Sequence, residues 1–488
     1  MTAINTNIGA INAQANLMRV NEEMGVSMER LSSGKRINAA KDDSAGMAIA
    51  EKMTSQIMGL NQAVRNANDG KNLLDTTEGA HVEVSNMLQR LRELAVQSSN
   101  DTNTAGDRGN ITSEGQALIT EINRVSTDTT FNGMKILDGS YSGKQFQIGA
   151  DSGQTIDINV DSVHTNDIGA HKLSTQVAIN AAAGDNGRAA AETVAITGHT
   201  GSAEITTTAG MSAKDLASEV NKVSATTGVE ATAVTTAKLD NVSGVGNVKI
   251  EINDVQIGTV AVTDASDLKG LRDAINNKTG QTGVTAKMGD TDAEIILTDK
   301  QGNDISITNY EDTSGNAVTM DMTTLNKDKT EDAAADVETL SAANQDATSV
   351  GQVEMTSMKA FSVGGGGTAD TNFLETTSNT SDLDTVAEID LTTADGASNA
   401  VKTIDVALNK INQSRSDLGA VSNRLDSTIS NLTNITVNVE AARGQVMDAD
   451  FAKESSEMAR GKILSQAATS MLAQANASSQ NVLSLLRG

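Results

Sequence analysis

IDVALNKINQSRSDLGAVSNRLDSTISNLTNITVNVEAARGQV, residues 404–446, is the stretch whose reading decides the fold. Within it Ile404, Ile411, Leu418, Leu425, Leu432, Val439 and Val446 stand seven residues apart. Two helical turns nearly close a seven-residue repeat, so these side chains share one face. Leu408, Val421, Ile429 and Ile435 add a second stripe, interrupted by Arg415, Ser422, Thr428 and Thr436. The pattern predicts a helix of ~45 residues, about 65 Å long, packed in a coiled-coil-like bundle.

The other end of the chain offers the partner. Met53, Leu60, Ala67, Leu74 and Leu88 share a heptad phase broken by His81, flanked by Ile57, Val64, Val84, Met87, Leu91 and Leu94. This predicts a helix from Ser44 to Ser99, a polar turn at residues 100–107, and a second helix ending near Thr129. Ile111, Leu118, Ile122 and Val125 form the apolar face of that second helix. From Phe131 to Val160 the runs FNGMKILDG and QFQIGA…TIDINV alternate and carry glycines, as hairpins do.

The extreme ends repeat the helical theme thinly. One stripe runs Ile4, Ile8, Ile11, Leu17, Val20, Met24 and Leu31; another runs Ile463, Leu464, Met471, Leu472, Val482, Leu485 and Leu486. Both segments are rich in Asn, Gln, Ser and Ala, and so short an apolar stripe is marginal in isolation. They are expected to be disordered in the monomer and to fold within an assembly.

Between the ends, residues 177–400 are rich in Thr, Ala, Gly and Asp. LASEVNKVSATTGV (Leu216–Val229) repeats as LRDAINNKTGQTGV (Leu271–Val284) at an offset of 55, each a short helix running into a strand. VKIEINDVQIG (Val248–Gly258) and EIILTDKQGNDISI (Glu294–Ile307) supply further strands, and Gly364–Gly367 reads as a flexible loop. Duplicated small α+β units read as a structural insertion. The fold class is therefore mainly α at the two termini, with a hairpin region and an α+β, β-rich insert. The boundaries fall at 1–43, 44–176, 177–400, 401–453 and 454–488.

Composition narrows the function. The chain has no Cys, Pro or Trp in 488 residues. Absent cysteines remove disulfides, thiolate metal sites and cysteine nucleophiles. Average usage of about 5% would supply roughly two dozen prolines; their absence suits long unbroken helices. Residues 177–400 hold 13 basic and 34 acidic groups, against 24 and 29 in the rest. So acidic a middle argues against nucleic acid, which needs a basic footprint. No stretch approaches the ~18 apolar residues of a membrane span. The N-terminus lacks the basic start and apolar run of a secretory signal, so any export is expected to read something else.

Leu31–Ala50, LSSGKRINAAKDDSAGMAIA, holds a Gly-Lys pair and two adjacent aspartates. A phosphate loop needs glycine five residues before that of Gly34-Lys35, where Glu29 stands, and Ser or Thr after the lysine, where Arg36 stands. A calcium loop needs alternating ligands and a distal glutamate, which Asp42-Asp43-Ser44 does not supply. The stretch reads as a helix stop at Gly34 and a restart capped by Asp43 or Ser44. Asp448 and Asp450 read likewise as caps, not as catalytic carboxylates. His81, His164, His171 and His199 show no metal-ligand spacing and are expected at the surface or partly buried. No cofactor is expected. On Gln89-Arg90-Leu91-Arg92-Glu93-Leu94-Ala95-Val96-Gln97, Arg90, Glu93 and Gln97 should project from a face opposite Leu88, Leu91 and Ala95.

Several of these motifs closely resemble bacterial flagellin. They are MTAINTNIGAINAQANL, LSSGKRINAAKDDSAGMAIA, LQRLRELAVQSSND, FNGMKILDG, LGAVSNRLDSTISNLTNI and DADFAKESSEMARGKILSQAATSMLAQANASSQNVLSLLRG. The match covers roughly residues 1–170 and 400–488, and the middle resembles the family's variable insert.

The resemblance implies a non-enzymatic structural subunit, exported unfolded through a type III flagellar apparatus, that polymerises into an extracellular filament. It implies inner tubes built from the terminal helices, among them Ile4, Ile8, Ile11, Leu17, Val20, Met24, Leu31, Leu464, Met471, Leu472, Val482 and Leu485. It implies an outer wall from the long bundle, an outward insert, an export chaperone on the C-terminal end, and cap and hook-associated partners. Gln89, Arg90, Arg92, Glu93 and Leu94 match the family segment that contacts an innate Toll-like receptor, with Glu114 added by analogy. That surface would be covered in the filament, so only released monomer would signal. A hook–filament junction protein is the alternative, with similar termini but a short ring as its product. A flagellin carrying an enzyme would need a catalytic signature in the insert, which is lacking.

Overall fold

The computed structural model describes residues 6–180, 193–330, 337–365, 373–374 and 378–487. Its helices are α1 (Ile8–Ser33), α2 (Ser44–Ser98), α3 (Ala105–Asp128), α4 (Ala213–Lys222), α5 (Ser224–Thr227), α6 (Lys269–Asn276), α7 (Thr279–Thr282), α8 (Ala394–Met447) and α9 (Phe451–Arg487).

Local chemistry sets the helix ends. Gly34, at φ 68°, takes the left-handed conformation that closes α1. Asp42 Oδ2 accepts the backbone N–H of Asn38 (3.0 Å) and Ala39 (2.9 Å) to tighten the turn. Those two bonds, Ala39's first, hold the Asp42 carboxyl below its ordinary pKa. Asp43 Oδ1 then accepts the N–H of Gly46 at 2.8 Å and opens α2. A Cβ on Gly46 would lie 2.8 Å from Ile37 Cδ1, so a larger residue there would push neighbouring side chains aside. The opposite joint is tied to this one. Arg36 donates its N–H to Met447 O (2.6 Å) and its Nη2 to Val446 O (2.6 Å), while Ala449 N–H donates to Gly34 O (3.0 Å). Asp450 Oδ1 accepts the N–H groups of Ala452 and Lys453 and opens α9. At α3, Thr104 and Asp107 bond each other's backbone N–H in a capping box.

The chain divides into two units, and α2 and α8 contribute residues to each. The first comprises Met1–Thr76, Ser142–Asn159 and Asp417–Gly488. In it α1 and α9 lie antiparallel. Asn7 Nδ2 donates to Ala475 O (3.1 Å), Ser465 Oγ to Asn21 Oδ1 (3.3 Å), and Arg30 Nη1 to Glu454 Oε1 (3.3 Å). The terminal segments expected to be disordered in the monomer are thus helical in the single chain, because each supplies the other with a neighbour. Also in this unit, Leu60 and Ala63 of α2 pack on Leu432 of α8, and Lys71 pairs with Asp426 at 2.6 Å. Asn66 Nδ2 donates at 2.9 Å to Gln147 O, in the hairpin of Lys144–Gln147 with Thr155–Ile158.

The second unit comprises Thr77–Tyr141 and Val160–Ser416. Leu88, Leu91 and Leu94 of α2, Ile122 of α3 and Ile404 and Ile411 of α8 are all at most 2% exposed. On α3 the buried positions are Ile111, Gly115, Ile119, Ile122 and Ser126, so Ile119 and not Leu118 faces inward. Gly115 marks a close approach, since a Cβ there would fall 2.8 Å from Leu391 Cδ1. Ser98 Oγ donates to Leu391 O at 2.6 Å.

The insert is built from two copies of one unit: hairpin, helix, single turn, strand. The first runs Thr193–Thr197, Ser202–Thr206, α4, α5 and Glu230–Ser243; the second runs Gly246–Ile252, Val255–Val262, α6, α7 and Thr285–Met288. The copies share their side-chain devices. Asn221 brackets Ala231 by donating to its carbonyl (2.9 Å) and accepting its N–H (2.8 Å), and Asn276 does the same to Ala286 (2.8 Å each). Gly228 and Gly283 end α5 and α7 at φ 72° and 78°.

Each copy has its own apolar core. The long strand Glu230–Ser243 gives Ala231 to the first and Ala237 and Leu239 to the second. It pairs antiparallel with Ile295–Asp299, Thr319–Leu325 and Gln352–Ser357, and so serves as the hub of an eight-stranded sheet. Gly364 of the expected glycine loop ends the strand Ser362–Gly364, while residues 366–367 lie outside the described residues.

Candidate functional site

Two surfaces carry the residues singled out in the sequence. The first is on α1 and α9. Ile8 is 60% exposed, Ile11 54%, Leu464 45% and Met471 64%, and Phe451, which the sequence reading passed over, is 73%. Leu17, Met24, Leu31 and Leu472 are half-buried, and Val20 is buried at 7%. Ile4 lies outside the described residues, as do the side chains of Val482 and Leu485. Large aliphatic side chains left in water along paired helices form the kind of surface that a macromolecular neighbour covers. The groove between the pair is highly charged: Arg19, Arg30, Lys453 and Arg460 alternate with Glu22, Glu23, Glu454 and Glu457 along a cavity of about 880 Å³.

The expected bundle face behaves differently. Ile404, Ile411, Leu418, Leu425 and Leu432 are buried, whereas Val439 and Val446, towards the end of α8, are half-buried.

The second surface lies on α2 and α3. Arg90 Nε and Nη2 both donate to Glu114 Oε1, at 3.0 and 2.8 Å, and Arg90 Nη1 donates to Glu93 Oε2 at 2.9 Å. The hydrogen bond from Glu114 first, then that from Glu93, raises the Arg90 pKa and keeps the guanidinium charged. Arg92 Nε donates to Asp405 Oδ1 of α8 at 2.5 Å. Gln89, Arg90, Arg92, Glu93 and Glu114 are exposed. Leu94, expected on this surface, is 1% exposed. Its place on the helix, three residues after Leu91, points it into the core beneath the charged cluster. Asp405 could not be found from the sequence, because the cross-helix register that brings it to Arg92 is not written in either segment alone.

One histidine departs from expectation. His81 is fully buried, at 0% exposure, because it occupies the apolar heptad position between Leu74 and Leu88. His164 and His171 are half-buried and His199 is exposed. Among the described residues no group of three His, Asp or Glu side chains is placed to hold a metal ion. None of the described helices is long and apolar enough to cross a membrane.

Comparison with known proteins fits this layout. Residues 4–142 match the family model of the bacterial flagellin N-terminal helical region, and residues 401–486 that of the C-terminal helical region. The two insert copies match the flagellin hook IN motif at residues 193–245 and 247–301. A B-type flagellin of Pseudomonas aeruginosa is 36% identical over 99% of both chains. The chain belongs to the bacterial flagellins. A flagellin of Salmonella muenchen is also 36% identical, and flagellin A of Vibrio cholerae 32%, each over 99% of both chains. Solved structures of FliC from Burkholderia pseudomallei (TM-score 0.29, 19% identical, 73% of this chain and 99% of that one) and of a flagellar hook-associated protein-3 from Legionella pneumophila (0.36, 13%, 81% and 98%) resemble it too slightly to bear on the fold.

As a flagellin, the protein is a structural subunit of the extracellular flagellar filament, and export, self-polymerisation and motility follow from that membership. The hook–filament junction reading is the weaker one, since the full-length relatives named here are flagellins.

Proposed function

We propose that polymerisation runs through the α1–α9 pair, and that residues 1–43 and 454–488 form the inner core of the filament. Residues 44–176 and 401–453 form its wall, and residues 177–400 its variable surface. The observation that carries this is the row of exposed aliphatics, Ile8, Ile11, Leu464 and Met471, on the paired helices α1 and α9. The subunit works by assembly and has no catalytic role. Its further partners are the type III export apparatus, an export chaperone on α9, and the cap and hook-associated proteins. Electron microscopy of monomers seeded with short filament fragments tests the reading. Long filaments are expected from the whole chain and none after deletion of residues 2–32. Filaments from the deleted chain would refute it.

A second reading rests on the Arg90 cluster. We infer that the released monomer presents Gln89, Arg90, Arg92, Glu93 and Glu114 to an innate Toll-like receptor, with Leu94 supporting the helix from below. The family resemblance supplies the partner, and the mutual contacts of Arg90, Glu93 and Glu114 support one continuous contact surface. An Arg90→Ala/Glu114→Ala monomer is expected to lose most stimulation of receptor reporter cells while keeping its helical spectrum. Stimulation equal to wild type would end the proposal.

A further inference from the structure

His81 sits in the core of the helical bundle with 0% exposure, and neither of its ring nitrogens has a hydrogen-bond partner within the protein. Leaving two buried polar atoms unpaired is costly, and an aliphatic residue at this heptad position would avoid that cost. The charged groups whose fields act on the imidazole come from three elements. On α2 there is Glu78, one turn back; on α8 there is Arg415; on the segment following the second hairpin there is Asp161. Glu78 is already committed, because Arg415 Nε and Nη2 both donate to its Oε1, at 2.9 and 2.7 Å. Near Asp161, Lys410 feels that carboxylate and donates its Nζ to Asp167 O at 2.7 Å.

We propose that His81 is an acid-responsive element of the bundle: it packs neutral at neutral pH, and its protonation loosens α2 from α8 at the Glu78–Arg415 pair. An imidazolium needs acceptors for both N–H groups. The carboxylates whose charge favours the imidazolium are Glu78 and Asp161, and drawing Glu78 towards the ring would take it from Arg415. Protonation therefore sets the new charge against the pair that joins the two helices.

The direction of the pH effect follows. Burial, the dominant cause, pushes the imidazole from its ordinary 6.5 down to about 4; Glu78 and Asp161 pull it up and Arg415 pushes it further down. The unfolded chain thus takes up the proton first. The stability due to neutral His81 is complete above about pH 6.5, falls as the pH drops towards about 4, and is level below. Over that window the folded-to-unfolded ratio changes by about 300-fold.

The test is denaturant unfolding of the full-length monomer at several pH values, comparing wild type with His81→Leu. Between about pH 7 and about pH 4.5 the wild type should lose about 60-fold more in its folded-to-unfolded ratio than the variant, which lacks the titrating group. Carboxylates titrate in both proteins and cancel in the comparison. His81→Gln, polar but not titratable, should likewise lack the extra loss. Should neither variant fold, the imidazole resonances of the wild type decide: a titration midpoint near 4 supports the element. Parallel pH profiles, or a midpoint near 6.5, would overturn it.

Discussion

The α1–α9 pair and the α2–α3–α8 bundle have similar helical sequences and opposite uses for their apolar stripes. In the bundle Leu88, Leu91, Ile122 and Ile404 are completely buried, and the stripe is consumed by the chain itself. In the pair only Val20 among the described residues of the predicted stripe is buried, while Ile8, Ile11, Leu464 and Met471 stay in water. The pair is held instead by polar ties at intervals: Asn7 to Ala475, Asn21 to Ser465, Arg30 to Glu454. The contrast teaches that heptad spacing alone says which side chains share a face. Whether that face closes within the chain depends on how much aliphatic bulk its neighbours bring.

The sharpest way to break this contrast is to cut into each stripe. Leu91→Ala should destabilise the monomer by about 2–5 kcal/mol, read as a lower denaturant midpoint, because a buried leucine leaves a cavity. A change under about 0.5 kcal/mol, typical of surface positions, would mean the bundle is not the buried core described. The next effect belongs to the pair. Glu454 has a side chain only 7% exposed, and Arg30 is its ion-pair partner. Arg30→Met should therefore cost about 2 kcal/mol, the scale of a hydrogen bond to a charged group. Arg92→Met, in the bundle, breaks a pair whose two side chains are 45% and 42% exposed. It should cost under about 1 kcal/mol, and less still in high salt. Equal losses for the two arginines would erase the distinction between a sheltered tie and a wet one. Smallest for the monomer is Ile11→Ala, within about 0.5 kcal/mol, yet it should raise the concentration needed for filament growth in a sedimentation assay. A large loss of monomer stability there would place Ile11 in a core that the exposure values deny.

Much of the helical architecture was legible in the sequence. The spacing placed a helix at Ser44–Ser99, and the structure has it at Ser44–Ser98, because the Asp43 cap announces the start as local chemistry. The 55-residue repeat was legible for the same reason: Asn221 and Asn276 each act within ten residues of themselves. What was not legible depends on partners far along the chain. ATAVTTAKLD (Ala231–Asp240) is rich in Thr and Ala and announces no strand hub, yet three strands distant in sequence converge on it. His81 read as a break in the stripe, since its complete burial depends on neighbours that the α2 segment alone does not name. At the candidate recognition surface, Arg90 and Glu93 share a helix and could be paired on paper. Glu114 entered by resemblance, and the Arg92 partner Asp405 is 313 residues away.

The way the chain enters and leaves the insert has a consequence of its own. It enters through the strand Gly169–Ser174 and leaves through Asp382–Thr385, and these two strands are direct hydrogen-bonded neighbours, His171 opposite Leu383. A doorway with both jambs side by side is indifferent to the size of the room behind it. Any self-contained fold whose ends lie one strand apart can be spliced there, and the helices on the other side receive the same two strands in the same register. Such a cassette can be rewritten wholesale while the two strands that receive it keep their pairing.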